Sequence, residues 1–443
     1  MRDLSSPETP AAGSPALGRG SLRAVLVGLC VTEIVSYGVI FYAFTVLLPQ
    51  IQAETGWSRT AITAAFSIGS VIGGAVGIVV GRILQDRGPW LVMTTGSLVG
   101  TAAILMLAWS PNYALFLAAW VLAGTASACL FYPPAFAALT GWFGPRSVQA
   151  ITTLTLAAGF SSTIFAPLTD ALALHLSWRQ TYLVLAVALG TITLPIHLLV
   201  LRHPWPGRER HAGTGSRQRR TSGPGGIPGP PPRVSDRHIL RSRTFLLATT
   251  AGTLMALASY ASMVYLVPLL IDRGMTSTGA AWALGLGGAG QVLGRVFYPW
   301  MTRQLTAQVR AVVVIGAMGV AVTGFATLAG PAPVLIALAV LAGSSRGLFT
   351  LVGATLVSDH WGRERYAAVS GVYNAPVLAA SALAPLLGAL IVEATGSYVG
   401  LFAVLAAVAT VATGLASLAA TGAKETSAAT TSVAPAGSPT PTR

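Results

Sequence analysis

Two ionisable residues stand deep inside apolar runs. Glu33 lies about ten residues into the stretch 24–49, and Arg346 about fourteen into 332–358. A charged side chain at the centre of a bilayer costs about 2.5–3.5 kcal/mol on insertion scales, so such residues mark an ion or substrate path, or a pair. The chemistry open to them is proton carriage by the carboxyl and anion binding by the guanidinium, or pairing of the two in one state of the molecule. A static ion pair fastening two parts of the fold is the structural alternative. Tyr37 follows Glu33 by one helical turn, with Phe41 and Phe44 further along roughly the same face. Tyr260 and Tyr265 in the run 244–270, Thr350 one turn from Arg346, and Asn374 complete a candidate polar and aromatic pocket. Helix packing and interfacial placement compete for the tyrosines, most of all for Tyr265, the nearer to the end of its run. His197 is expected at the headgroups, and Asp170 in a hydrated position close to Arg179.

The elements that carry these residues are set by composition. Of 443 residues 53% are hydrophobic and 9% charged, against roughly 25% charged in soluble domains. The charges cluster: residues 1–21, 202–243 and 421–443 hold 4, 12 and 3 of the 40, leaving 21 over the other 357 residues. So sparse a charge cannot cover a water-facing surface, which predicts an integral membrane protein surrounded by lipid. The net charge of +14 is concentrated in the Pro- and Gly-rich segment 202–243, expected as a solvated linker near an anionic membrane face. Only Trp205 interleaves with its arginines, so no nucleic-acid partner is expected. Lys424 is the one lysine in the sequence, which rules out a G-x-x-x-x-G-K-[ST] phosphate loop and a retinal Schiff base. Cys30 and Cys129 fall in apolar runs and indicate no disulfide framework. No H-E-x-x-H occurs, and neither half gathers metal-ligand spacing. No metal, no cofactor and no enzymatic activity are expected.

A crossing helix needs about 20 apolar residues. Twelve spans are predicted, near 24–49, 58–80, 90–109, 112–139, 148–173 and 179–201, then 244–270, 278–300, 310–329, 332–358, 365–391 and 397–420. The first run is too long for a cleaved signal and stays as a span. With both termini cytoplasmic, Arg59, Arg179 and Arg273 lie at external ends and Arg346 within a span; the remaining 23 Lys and Arg fall inside. The organisation expected is a tail (1–21), a six-helix bundle (22–201), the basic linker (202–243), a second bundle (244–420) and a disordered tail (421–443).

Internal similarity fixes the relation of the halves. Ala166-Pro167-Leu168 recurs as Ala384-Pro385-Leu386 at an offset of 218. Trp142-Phe143-Gly144-Pro145-Arg146 recurs as Trp361-Gly362-Arg363-Glu364-Arg365 at about 219, Pro49 as Pro268 at 219, and Gly81-Arg82 as Gly294-Arg295 at 213. Six helices separate the copies, an even number, so the halves insert the same way round as a parallel repeat. Gly69, Gly73, Gly77 and Gly81, four residues apart, form a stripe for close backbone approach, either between the halves or within one.

The stretch Gly81-Arg82-Ile83-Leu84-Gln85-Asp86-Arg87-Gly88-Pro89 resembles the signature between helices 2 and 3 of the major facilitator superfamily. Thr55-Gly56-Trp57-Ser58-Arg59 and Tyr132-Pro133-Pro134-Ala135-Phe136 resemble its monocarboxylate and oxalate/formate branch. The resemblance implies an all-α fold of twelve transmembrane helices in two six-helix bundles, with helices 1, 4, 7 and 10 lining a central cavity. It implies a cytoplasmic gate at Gly81, Arg82, Asp86, Arg87 and Gly88, with Arg303 and Arg310 in the matching loop. Positive-inside bias alone is the competing account of that cluster.

The function expected is proton-coupled transport of a small organic solute, most simply a carboxylate, across the plasma membrane by a monomer. Glu33 would couple protons; Arg346, Tyr37, Tyr260, Tyr265, Thr350 and Asn374 would bind substrate. A proton-antiport exporter of drugs or secondary metabolites is the alternative. A membrane receptor would need a folded signalling domain, which the short polar tail does not resemble.

Overall fold

Short polar side chains fix where the helices start. Ser58, Asn112, Ser177, Ser242, Thr276 and Thr306 each accept a backbone N–H from the first turn that follows, satisfying donors that have no partner inside the helix. Gly56 ends the first helix at φ 67°, a left-handed conformation that a side chain would resist. In the computed structural model, residues 18–205, 239–361 and 366–431 are described. They form α1 (Arg19–Thr55), α2 (Arg59–Arg87), α3 (Pro89–Ala108), α4 (Tyr113–Phe143), α5 (Ser147–Ala173) and α6 (Trp178–Val200). Then come α7 (Arg243–Asp272), α8 (Ser277–Gln304), α9 (Ala307–Thr327), α10 (Ala332–Trp361), α11 (Tyr366–Thr395) and α12 (Tyr398–Thr431).

All twelve are of membrane-crossing length, and eleven are also apolar enough over an 18-residue window. The exception is α8. Its glycines and the buried polar pair Gln291 and Arg295 lower its hydropathy, because α8 meets protein on more than one side. Helix α12 continues to Thr431, into the stretch expected as a tail. Most of the basic linker, both chain ends and the Gly362–Arg365 part of the tryptophan repeat lie outside the described residues.

The two halves repeat the same neighbours. In the first, α2 packs on α4, α3 on α4 and α6, and α1 on α5 and α6. In the second, α8 packs on α10, α9 on α10 and α12, and α7 on α11 and α12. One backbone approach fixes the register. A Cβ placed on Gly124 of α4 would fall 1.8 Å from the Gly69 carbonyl oxygen of α2, and one on Gly343 of α10 would fall 1.8 Å from that of Gly287 on α8. The two pairs are 218 and 219 residues apart.

That register corrects two readings. Gly69 and Gly73 press on α4 of their own half, whereas Gly77 and Gly81 meet nothing within 4 Å; the stripe is packing inside one bundle, and only over half its length. Gly294-Arg295 is not the counterpart of Gly81-Arg82, because Gly294 packs on the Ser344 carbonyl and Arg295 is buried, while Arg82 is exposed.

The halves meet along α5 with α8 and α2 with α11, an equivalent pair of seams, and at α1 with α7. The ends at Arg19, Val200, Arg243 and Thr431 share one face of the bundle, called here the linker face; the turns near Gly56, Gly274 and Gly396 lie on the opposite, far face.

Candidate functional site

Irregular backbone positions the candidate residues. Helix α1 loosens into a π turn at Gly38–Tyr42, just beyond Tyr37, where the Phe165 ring occupies the space a side chain on Gly38 would need. Helix α4 breaks at Phe131 and restarts at Tyr132, with prolines in the new first turn. Pro133 and Pro134 cannot continue the hydrogen-bond ladder of the preceding turn, and π turns recur at functional sites. The two irregularities face one another: Tyr37 stacks on Phe131 at 4.0 Å between ring centroids and meets Tyr132 at 5.1 Å. Across the seam, Phe41 meets Tyr260 of α7 edge to face at 6.2 Å.

Glu33 is 0% exposed, and neither carboxyl oxygen has a hydrogen-bond partner. Cys30, Tyr37 and Tyr132 lie within its electrostatic reach. Arg346 is 7% exposed, with its Nε unbonded. The two do not pair: the one salt bridge among the described residues joins Arg179 to Glu54 on the far face. Arg346 instead lines a narrow crevice with Ser262, Leu266 and Phe325, and lies within electrostatic reach of the Tyr260 hydroxyl. A second pocket, lined by Phe349, Val352 and Tyr373 among others, sits inside the second half and has no charged side chain in its lining.

The residue that sequence reasoning left out is Arg295. It is 6% exposed, about nine residues in from the end of α8 at Gln304. Its guanidinium donates to the Thr155 carbonyl of α5, reaches Thr350 of α10 at 3.4 Å, and lies against the Tyr132 hydroxyl of α4. Arg295 and Arg346 both act on Tyr260. Arg295 thus joins Tyr132 to Thr350 between the halves, with Tyr37 against Tyr132, Glu33 one turn before Tyr37, and Arg346 reaching Tyr260 from a crevice built of second-half residues.

Other expected members lie elsewhere. Tyr265 is 0% exposed and donates to the Pro385 carbonyl at 2.6 Å, with its ring against Gly388; it packs α7 on α11 and is not part of the pocket. Asn374 is half-buried on α11. Arg82, Asp86 and Arg87 are exposed and form no ion pair among the described residues. Arg310 is buried, lies 5.8 Å above the Tyr298 ring and donates to Leu305 of its own turn. Gly88, at φ 81°, is covered by the ring of Trp205, whose Nε1 donates to the Gln85 carbonyl at 3.0 Å, so the turn between α2 and α3 carries the chain that follows α6. His197 is not at the headgroups. It is fully buried, with Nδ1 2.8 Å from Ser97 Oγ and 3.1 Å from the Met93 carbonyl. Asp170 is 5% exposed and accepts from Thr278 instead of meeting Arg179.

Twelve membrane-length helices in two like halves are the architecture of a membrane transport protein. A family profile described as Major Facilitator Superfamily matches residues 29–332 and again 272–441, and the chain belongs to that superfamily. It is 25% identical over 378 residues to a protein named Monocarboxylate transporter 13 of Rattus norvegicus, covering 84% of this chain and 81% of that one. It is 26% identical over 316 residues to a Chloramphenicol resistance protein of Streptomyces lividans, covering 70% and 74%. Among solved structures, a bacterial homologue of the human lysosomal transporter Spinster, described as inward-facing and unoccupied, superposes with a TM-score of 0.67 at 15% identity, over 91% of this chain and 98% of that one. The chain is a multi-pass transporter of this superfamily.

Proposed function

We propose that this transporter carries a small organic acid together with protons across the plasma membrane, as a monomer whose linker face is cytoplasmic. The observation that supports it most concerns the two buried guanidiniums within reach of Tyr260: among the described residues no carboxylate pairs with Arg295 or Arg346. A buried cation needs a counter-charge, and a substrate carboxylate bound between Tyr132, Tyr260 and Thr350 supplies one. A guanidinium fits a carboxylate in two parallel hydrogen bonds. Glu33, with both oxygens unbonded, is the group that takes up and gives off a proton as the halves rock. The 25% identity to a protein named as a monocarboxylate transporter accords with this reading. The orientation rests on the arginines of the linker face, Arg82, Arg87 and Arg303 among them.

Purified protein in liposomes tests it. Labelled monocarboxylates should accumulate when a proton gradient is imposed and stop accumulating when an ionophore collapses it. Absence of proton-driven uptake for every carboxylate in a panel overturns it. A second reading has its own support: the aromatic lining of Tyr37, Phe41 and Phe131 and the relative named for chloramphenicol resistance accord with proton-antiport export of hydrophobic compounds. Lowered sensitivity to such compounds in cells making the protein, without carboxylate accumulation, selects that reading.

A further inference from the structure

The side-chain bonds that join the two halves crowd toward the far face, and two of them are built alike. Thr60 is the second residue of α2, after the capping Ser58, and its hydroxyl donates to the Glu393 carboxylate of α11. Thr278 is the second residue of α8, after the capping Thr276, and its hydroxyl donates to Asp170 of α5 at 2.9 Å. The two threonines are 218 residues apart, the offset that relates Gly69 to Gly287 and Pro167 to Pro385. Each carboxylate belongs to the opposite half from its threonine and sits at the first turn of a helix, where the unpaired N–H groups favour negative charge. The carboxylates are not register mates: Asp170 lies three residues beyond Pro167 and Glu393 eight beyond Pro385. Asp170 is accordingly 5% exposed, whereas Glu393 is open to solvent.

The surroundings point the same way. Arg59 lies 4.6 Å over the Tyr398 ring, Ser67 accepts the Leu386 amide at 3.2 Å, and Thr163 donates to the Gly285 carbonyl at 2.8 Å. Toward the linker face, Arg295 joins the halves through the Thr155 carbonyl and the Tyr132 hydroxyl. The geometry points to a two-point latch: Thr60 with Glu393 and Thr278 with Asp170 hold the far face shut on both sides of the cavity, and both must open before the transporter can open there. Because the halves rotate as bodies, one intact point keeps the seam closed. Loss of both releases it. The drier contact, at Asp170, carries more of the closure, since a hydrogen bond to a charged group strengthens as water is excluded. The latch concerns closure alone and holds whichever substrate is carried.

Distance measurement between spin labels tests this on the full chain in lipid discs. One pair, on Ala53→Cys and Ile271→Cys, reports the far face, and a second, on Ile83→Cys and Gln304→Cys, reports the linker face, both with Cys30 and Cys129 replaced by serine. Thr60→Val and Thr278→Val together are expected to move more than half of the far-face population to a longer distance and the linker-face population to a shorter one. Each single variant should move under a quarter, Thr278→Val the more. Thr60→Ser with Thr278→Ser, which keeps both hydroxyls, should match the parent protein. Unchanged far-face distances in the double valine variant, or opening of the serine pair as well, overturn the latch. If the double valine variant does not fold, Thr60→Ala with Thr278→Ala decides: unchanged far-face distances in that pair overturn it.

Discussion

Tyr37 and Phe131 stack with ring planes only 10° apart, and each sits where its helix departs from regularity. The π turn after Tyr37 and the break at Phe131 leave room for a parallel pair of rings between α1 and α4. The stack holds the wall of the pocket that carries Tyr132. Tyr37→Phe keeps the rings and loses the hydroxyl, whereas Tyr37→Ala loses about 0.5–1.5 kcal/mol of ring pairing beyond the buried area. Thermal unfolding in detergent should separate the two, with Tyr37→Phe near the parent and Tyr37→Ala several degrees lower. Equal midpoints for both would mean that the stack contributes nothing.

Arg295 makes a sharper case, because one planar group serves three elements at once. Its guanidinium meets the Thr155 carbonyl, Thr350 and Tyr132, a fan of contacts that a single ammonium cannot span. Arg295→Lys should therefore lower uptake by about tenfold, the cost of roughly 1.4 kcal/mol at 25 °C, while the protein still folds. Initial rates in liposomes measure it. Uptake within twofold of the parent would remove Arg295 from the binding role.

The glycine contacts supply a prediction with its own control. Gly124 and Gly343 each stand against a carbonyl oxygen of the neighbouring helix, and Gly77 and Gly81 stand against nothing. Gly124→Ala and Gly343→Ala should each destabilise by about 1–3 kcal/mol, as overpacked cores do. Gly77→Ala and Gly81→Ala should be neutral or raise stability by up to about 1 kcal/mol through helix propensity. Unfolding midpoints check all four. Similar losses at Gly77 and Gly124 would contradict the packing described.

Twelve spans were legible because lipid demands long apolar helices, and the repeat was legible because Pro167 and Pro385 mark the same bend in both halves. Which face a residue presents was harder. Tyr260 and Tyr265 are five residues apart, about 140° around a helix, so both could not enter one pocket; that arithmetic was available and points to one of the two. Arg295 was hidden by pairing Gly294 with Gly81, a match five residues out of step with the 218 offset. Its isolation from other charges within a glycine-rich helix was the signal that could have found it. Asp170 and His197 were read by depth, and depth says nothing of whether a neighbouring helix covers the side chain. For His197 the i, i+4 partner Thr193 was in plain view, and both converge on Ser97.

Glu33 carries the last prediction. Its carboxyl touches no counter-charge and no donor, so Glu33→Gln changes charge and protonation without breaking a bond seen in this state. If Glu33 is the coupling group, the variant can still bind and exchange substrate across the membrane but cannot draw on a proton gradient. Exchange of labelled for unlabelled carboxylate between equal pools should stay within about threefold of the parent. Accumulation driven by an acid exterior should fall to the passive level, and acidifying the outside should no longer speed entry. The sign follows from the stoichiometry: a proton that enters with the anion favours entry as external pH falls, and without a carrier for the proton that dependence vanishes. Uphill, pH-driven accumulation by Glu33→Gln at the parent's level would assign coupling to another residue. Loss of exchange together with accumulation would instead place Glu33 in the fold or in binding.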